Sequence, residues 1–195
     1  MLSEKLKNRK IILASGSPRR QQFFKDLGLD FEIRLREIEE IYPPALQAQA
    51  IPEYLAVLKS DAFAGSLKPD EILVTSDTIV WFESKALGKP KDYNDAFAML
   101  CSMSGKTHTV YTSVCFRIMD RTETLTASTQ VTFNELSDEA IRYYLEHFKP
   151  YDKAGAYGIQ DWIGLVGVAR IDGSYANVMG LPVDLVYNYL SQIEP

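Results

Sequence analysis

Little in this chain of 195 residues suggests a redox, metal-cluster or membrane protein. Two cysteines, Cys101 and Cys115, stand in apolar surroundings without CxxC spacing, which excludes a disulfide framework and reads as a pair of reduced core thiols. Positive charge is in deficit, with a formal net charge of -5. That balance argues against a general nucleic-acid or membrane-surface binder, which carries a basic excess. No apolar run approaches the roughly 20 residues of a membrane span. The opening MLSEKLKNRK leads into the first strand without the apolar core of a signal peptide, which predicts a cytoplasmic protein. Internal repeats, low-complexity tracts and linkers are absent, and the length suits one large domain or two small lobes around a sizeable core.

Against that deficit, the basic residues near the N-terminus stand out. Ile11, Ile12 and Leu13 form a short run suited to a strand buried on both faces. Ser15, Gly16 and Ser17 then make a small-residue turn, with Ser17 the expected N-cap and Pro18 the first helical residue. A helix start presents free N–H groups and the positive end of the macrodipole, which favours an anion. Arg19 and Arg20 add charge in a geometry suited to phosphate oxygens, although cations there oppose the dipole unless an anion joins them. The stretch is neither a Walker A loop nor a dinucleotide GxGxxG turn.

Gly28 should end this helix, and Phe31 to Leu35 alternates as a short strand. Glu37, Glu39 and Glu40 follow, either a solvated edge or a source of carboxylate for a divalent cation. Pro52 to Leu67 returns to a helical period, with Lys59 off the centre of the apolar stripe. Ile72–Val74 and Ile79–Phe82 read as two buried runs with Asp77 between them, flanked by Ser76 and Thr78. A carboxylate in so apolar a segment is costly to bury unless it meets a metal or donors; the bland alternative is a local turn. Lys89, held between Gly88 and Pro90, is rigidly presented.

Asp92 to Met103 reads as a helix, and His108–Ile118 with Thr122–Phe133 as a β-hairpin, in which His108 is structural. Ser137 begins a helix that runs to Phe148. In YDKAGAYGIQ (151–160), Asp152 and Lys153 precede Gly155 and Gly158, so that backbone and polar groups can both approach a ligand. Gly164 to Ile171 is expected as a strand, and Pro182 starts a C-terminal amphipathic helix.

Seven motifs in this order, ASGSPRR, the acidic segment ending at Glu40, TSDT, GKP, SGKTHTVYTSV, YDKAGAYGIQ and GSYANVMGLP, give the chain a resemblance to the Maf family of nucleoside triphosphate pyrophosphatases over nearly its whole length. The resemblance implies an α/β fold of inosine triphosphatase type: an elongated mixed β-sheet flanked by helices, one domain over 1–195 with two lobes around a central cleft. It implies hydrolysis between the α and β phosphates, with a divalent cation, Mg²⁺ or Mn²⁺. Asp77 matches the family's proton acceptor, and Arg19, Thr78 and Gln160 match positions associated with base choice. Ser15, Arg20, Glu40, Lys59, Lys89, Asp152 and Lys153 match the other polar cleft positions. Glu40 and Asp77 are the expected metal ligands, Asp77 serving as ligand or as base.

The KAGAYGIQ form resembles the branch acting on dTTP and UTP, and a Gln amide can pair with the O4 and N3–H edge of either base. Two departures stand out: Ser76 where the family usually has Ala, and Asp161 with Trp162 where Gly is common after the Gln. The second puts a negative charge beside the expected base site. Within the resemblance, the partner is a nucleoside triphosphate, with no nucleic acid or membrane, and a homodimer is compatible with it. A different class of function, a nucleotide-binding regulator of cell division or septum formation with little turnover, would use the same residues.

Overall fold

A computed structural model describes residues 2–193. In chain order the elements are α1 (Leu2–Lys5), β1 (Lys10–Leu13), α2 (Pro18–Asp26), β2 (Phe31–Ile33), α3 (Ala50–Asp61), β3 (Glu71–Phe82), β4 (Lys85–Leu87) and α4 (Tyr93–Met103). They continue with β5 (Thr107–Ile118), β6 (Arg121–Phe133), α5 (Asp138–Phe148), a 3₁₀ turn (Ala154–Ala156), α6 (Trp162–Gly167), β7 (Val168–Asp172), α7 (Tyr175–Val178) and α8 (Val183–Gln192). The strands make one seven-stranded mixed sheet in the order β2-β1-β3-β5-β6-β7, with β4 paired to β3. The α/β class and mixed sheet expected from sequence are therefore observed. No helix among the described residues is long and apolar enough to cross a membrane.

The chain divides into two compact units. The first comprises the residues up to Asp77, Thr112–Ala127 and the segment from Gly180 onward; the second comprises Thr78–Tyr111 and Ser128–Met179. In the first, β1 runs parallel to both β2 and β3, with Ile11 opposite Phe31 and Ile72. β1 and the start of β3 are buried, as strands of a parallel sheet covered on both faces are, which is why they read as continuous apolar runs, whereas β2 alternates and is only partly buried. Ile11, Leu13, Ile72, Val74, Val114 and Phe116 form this core with Phe24 of α2 and Val186 and Leu190 of α8. In the second, β6 pairs antiparallel with β7, and Val80, Leu100, Met103, Val131, Phe133, Ile141 and Leu145 make a separate core.

Five expectations change, the smallest being that β2 ends at Ile33, short of Leu35. Asp77 does not lie between two strands: β3 is continuous from Glu71 to Phe82, and the polar run Thr75–Asp77 stays within it, buried. This holds because β3 has hydrogen-bonded neighbours in the sheet, Thr75 Oγ1 donates to the Ala56 carbonyl at 2.7 Å and Asp77 accepts from Lys59, although the buried Ser76 hydroxyl has no hydrogen-bond partner among the described residues. The local-turn reading of Asp77 is thereby removed. The segment 164–171 is not all strand, because its first part belongs to α6. There Ile163 and Gly167, four residues apart, are buried while Leu165 is 82% exposed, a helical rather than alternating pattern. Helix α3 ends at Asp61, short of Leu67, in turns that lead to Gly65 with φ +69°. The N-terminal ten residues also contain α1, whose Leu2 is buried.

At the start of β3, Glu71 is 1% exposed and accepts both Arg34 Nη1 and Nη2, at 3.1 and 2.9 Å, as well as the Lys68 N–H at 3.0 Å. The Arg34 hydrogen bonds, against the opposing effect of burial, lower the Glu71 carboxyl from its ordinary 4.5 to about 2. A depressed carboxylate stabilises the fold above its unfolded value and loses that contribution as pH falls through the folded one. Glu71→Gln is therefore expected to cost about 3 kcal/mol at neutral pH. The difference in stability from the parent should shrink between pH 4.5 and about 2. Denaturant titrations of both proteins across that range measure it; a gap that does not change with pH would contradict the assignment.

Candidate active site

In the first unit the polar residues gather around the C-terminal ends of β1 and of the first-unit part of β3. Ser17 caps α2 as expected, accepting the Arg20 N–H at 3.5 Å, with Pro18 following it. Ser15, almost fully buried, accepts the Ser17 N–H at 3.2 Å and Arg20 Nη1 at 3.5 Å. The Arg20 side chain also donates from Nε to the Gly180 carbonyl at 2.7 Å and from Nη1 to the Ser76 carbonyl at 2.9 Å. Arg20 thus ties the turn to β3 and to the segment that leads into α8. Sequence gave no sign of this anchoring, because its acceptors are main-chain groups distant in the chain.

Lys59 is brought to β3 by α3. Three residues earlier, the Ala56 carbonyl accepts the Thr75 hydroxyl. One residue later, Ser60 accepts Arg117 Nε at 2.7 Å, and Arg117 also pairs with Asp61. With the helix held on both sides, Lys59 Nζ lies 2.5 Å from Asp77 Oδ1 and 3.2 Å from Glu40 Oε1. Asp77 is 7% exposed. Burial pushes its carboxyl above the ordinary 3.8; Lys59 and then Arg20 pull it down, and Glu40 adds a smaller upward push. The result is a carboxylate more basic than usual that still has cations beside it. Arg117 is a buried anchor that sequence reasoning missed; a lone arginine inside the apolar run Val114–Ile118 was the available signal.

Two carboxylates therefore converge on one positive charge. No group of three His, Cys, Asp or Glu side chains among the described residues is placed to hold a metal. A pair of carboxylate donors fits a Mg²⁺-type ion, which takes one or two carboxylates and completes its shell with water and substrate phosphate, better than a resident all-protein site. The residues present are compatible with the expected cation on those terms.

In the second unit, Thr78 is half-buried and Lys89 exposed. The carbonyl of neighbouring Gly88 accepts the Gly155 N–H at 3.0 Å, joining the GKP turn to the KAGAYGIQ loop. Gly155 has φ +69°, and a Cβ there would lie 2.9 Å from Val80, so glycine is required on both counts. Lys153 Nζ contacts Asp152 Oδ1 at 2.8 Å and lies 3.9 Å from Asp161 Oδ2. Gln160 Nε2 donates to Asp161 Oδ1 at 3.0 Å, and Tyr144 donates to Asp161 Oδ2 at 2.7 Å while accepting the Gly158 N–H at 3.0 Å. Tyr144 had only a place in the helix of 137–148; its hydroxyl needed a partner once buried. His108 is structural, as expected. Its Nε2 is 2.7 Å from the Tyr157 hydroxyl, and burial lowers it to about 4, leaving it neutral at physiological pH. Cys101 and Cys115 are free thiols.

Residues 10–193 match the family of Maf-like proteins. The chain belongs to the Maf family. Among Maf-family relatives, it is 63% identical over 190 residues to a dTTP/UTP pyrophosphatase of Flavobacterium psychrophilum, covering 97% of each chain. A dTTP/UTP pyrophosphatase of Flavobacterium johnsoniae is 64% identical over 193 residues, covering 99% of this chain and all of the relative. A dTTP/UTP pyrophosphatase of Phocaeicola vulgatus is 50% identical over 191 residues, covering 97% of this chain and 99% of the relative. The fold is shared with the Staphylococcus aureus Ham1 protein, whose solved structure superposes with a TM-score of 0.55 at 14% identity, over 94% of this chain and 98% of that one.

Proposed function

We propose that this Maf protein hydrolyses dTTP and UTP to the monophosphate and pyrophosphate. The observation that carries the reading is Asp77, a buried carboxylate made more basic by its surroundings yet paired with Lys59 at 2.5 Å. Whole-length relatives named for dTTP and UTP support the substrate class. Asp77 takes a proton from the attacking water, a bond forms from that water's oxygen to the α-phosphorus, and the bond to the bridging oxygen breaks to release pyrophosphate. Arg19, Arg20, Lys59 and Lys89 neutralise charge on the phosphates, with Ser15 and the α2 N-terminus as donors. Glu40 and Asp77 would hold a divalent cation, which when bound would offset negative charge on the phosphate oxygens.

Gln160 and Thr78 meet the base in this reading, with Asp152 and Lys153 as further polar contacts. The cytoplasm is the proposed compartment, in keeping with two free thiols. The test is pyrophosphate release from a panel of nucleoside triphosphates with Mn²⁺ or Mg²⁺. dTTP and UTP should lead, with CTP and the purine nucleotides well behind. Binding without release on every nucleotide would favour the regulator instead.

A further inference from the structure

The carboxylate of Asp161, which follows Gln160 in the chain, has a defined place in the second unit. Its Oδ2 accepts the buried Tyr144 hydroxyl at 2.7 Å and its Oδ1 accepts the Gln160 amide nitrogen at 3.0 Å. Tyr144 is itself fixed, because it accepts the Gly158 N–H at 3.0 Å while donating to Asp161. Burial and the Asp161 hydrogen bond both raise the tyrosine above its ordinary value, so it remains a donor. Gly158 makes room for the arrangement: a Cβ there would lie 2.6 Å from both Asp161 Oδ2 and Gln160 Nε2.

We propose that Asp161 is a positioning residue for base selection, locking the Gln160 amide in the single orientation that reads a 4-oxo pyrimidine. This inference rests on the pyrimidine nucleotide reading above. An ionised carboxylate only accepts hydrogen bonds, so the amide must turn its NH₂ toward Asp161. Rotating the amide by 180° would instead set the Gln160 oxygen against the carboxylate oxygen, two acceptors facing each other. With the NH₂ so held, Gln160 presents its oxygen and its remaining N–H. Those match the N3–H and O4 of uracil or thymine. Cytosine carries an amino group and an unprotonated N3 at the same positions, and it requires the rotated amide. The charge beside the expected base site thus enforces selectivity. Each of its oxygens already accepts from a protein donor, which holds the carboxylate on Tyr144 and Gln160.

The experiment measures kcat/KM for UTP and CTP in the parent and in Asp161→Asn. An asparagine can satisfy either orientation of Gln160, so the UTP-to-CTP ratio should fall by about tenfold or more, the worth of a mispaired buried hydrogen bond. The change should come largely from a gain on CTP, which a purely structural role would not produce. Gly158→Ala is the second variant: its methyl meets only side-chain ends, so the fold should survive while the pair is displaced, and the ratio should fall again. In a Gln160→Ala background, Asp161→Asn should leave the ratio unmoved, since positioning acts through the glutamine. A parent that discriminates, with an unchanged ratio in a folded Asp161→Asn or Gly158→Ala protein, overturns this inference alone. A parent that shows no preference for UTP overturns the pyrimidine reading and this inference with it.

Discussion

Asp77→Asn is expected to lower turnover of dTTP by at least about 10²-fold, the usual cost of removing a general base. The fold and nucleotide binding should persist. Asparagine has the same shape but no basic oxygen, so it can hydrogen-bond Lys59 without accepting the proton of the attacking water. Lys59 also retains its second acidic partner, Glu40, at 3.2 Å. The sign of the stability change follows from the direction of the Asp77 shift. Burial raises the folded-state value above 3.8, so ionisation opposes folding once pH exceeds the unfolded value. Asn removes that opposition, and the thermal midpoint should be unchanged or higher, as when a site keeps a strained charge for function. Three measurements decide the matter: pyrophosphate release, calorimetric binding of dTTP and a melting curve. Near-parental turnover in a well-folded variant would remove Asp77 from the mechanism, and loss of binding together with turnover would make holding the cation, rather than taking the proton, its main part.

The parts of this architecture that sequence revealed share a physical cause. Strand β1 and the first turn of α2 are local: an apolar run, a serine cap and a proline at the first helical position determine them with little help from tertiary contacts. Asp77 was legible as a misfit, since a carboxylate among apolar neighbours demands a partner. The partner itself was not legible. Lys59 reaches Asp77 through the Thr75–Ala56 and Arg117–Ser60 hydrogen bonds, which join residues 19 and 57 positions apart and leave no local pattern. The same holds for Arg20, whose acceptors are main-chain carbonyls, available from any residue type and so invisible to motif reading. The boundary errors were of a different kind. In 162–167, apolar residues with two glycines carry no period long enough to separate a short helix from a strand, and burial of Ile163 and Gly167 decides it.

Arg20→Lys should lower both stability and turnover, and the geometry explains why the two effects come together. The guanidinium donates in two directions, from Nε to the Gly180 carbonyl at 2.7 Å and from Nη1 to the Ser76 carbonyl at 2.9 Å. An ammonium concentrates its three donors on one atom and cannot reproduce that fork. Loss of one such charge-assisted bond is worth about 1.5 to 3 kcal/mol, with a further cost if the buried carbonyl is left without a donor. Ser76 immediately precedes Asp77, so slack in this anchor also displaces the proposed base, and kcat should fall even at saturating dTTP. A lysine variant as stable as the parent would show that the carbonyl contacts contribute little and that any loss of activity comes from the phosphates. A destabilised variant with parental kcat would make Arg20 an anchor alone. Simultaneous loss of both is the outcome expected of a side chain that holds the turn and β3 together where Asp77 must be placed.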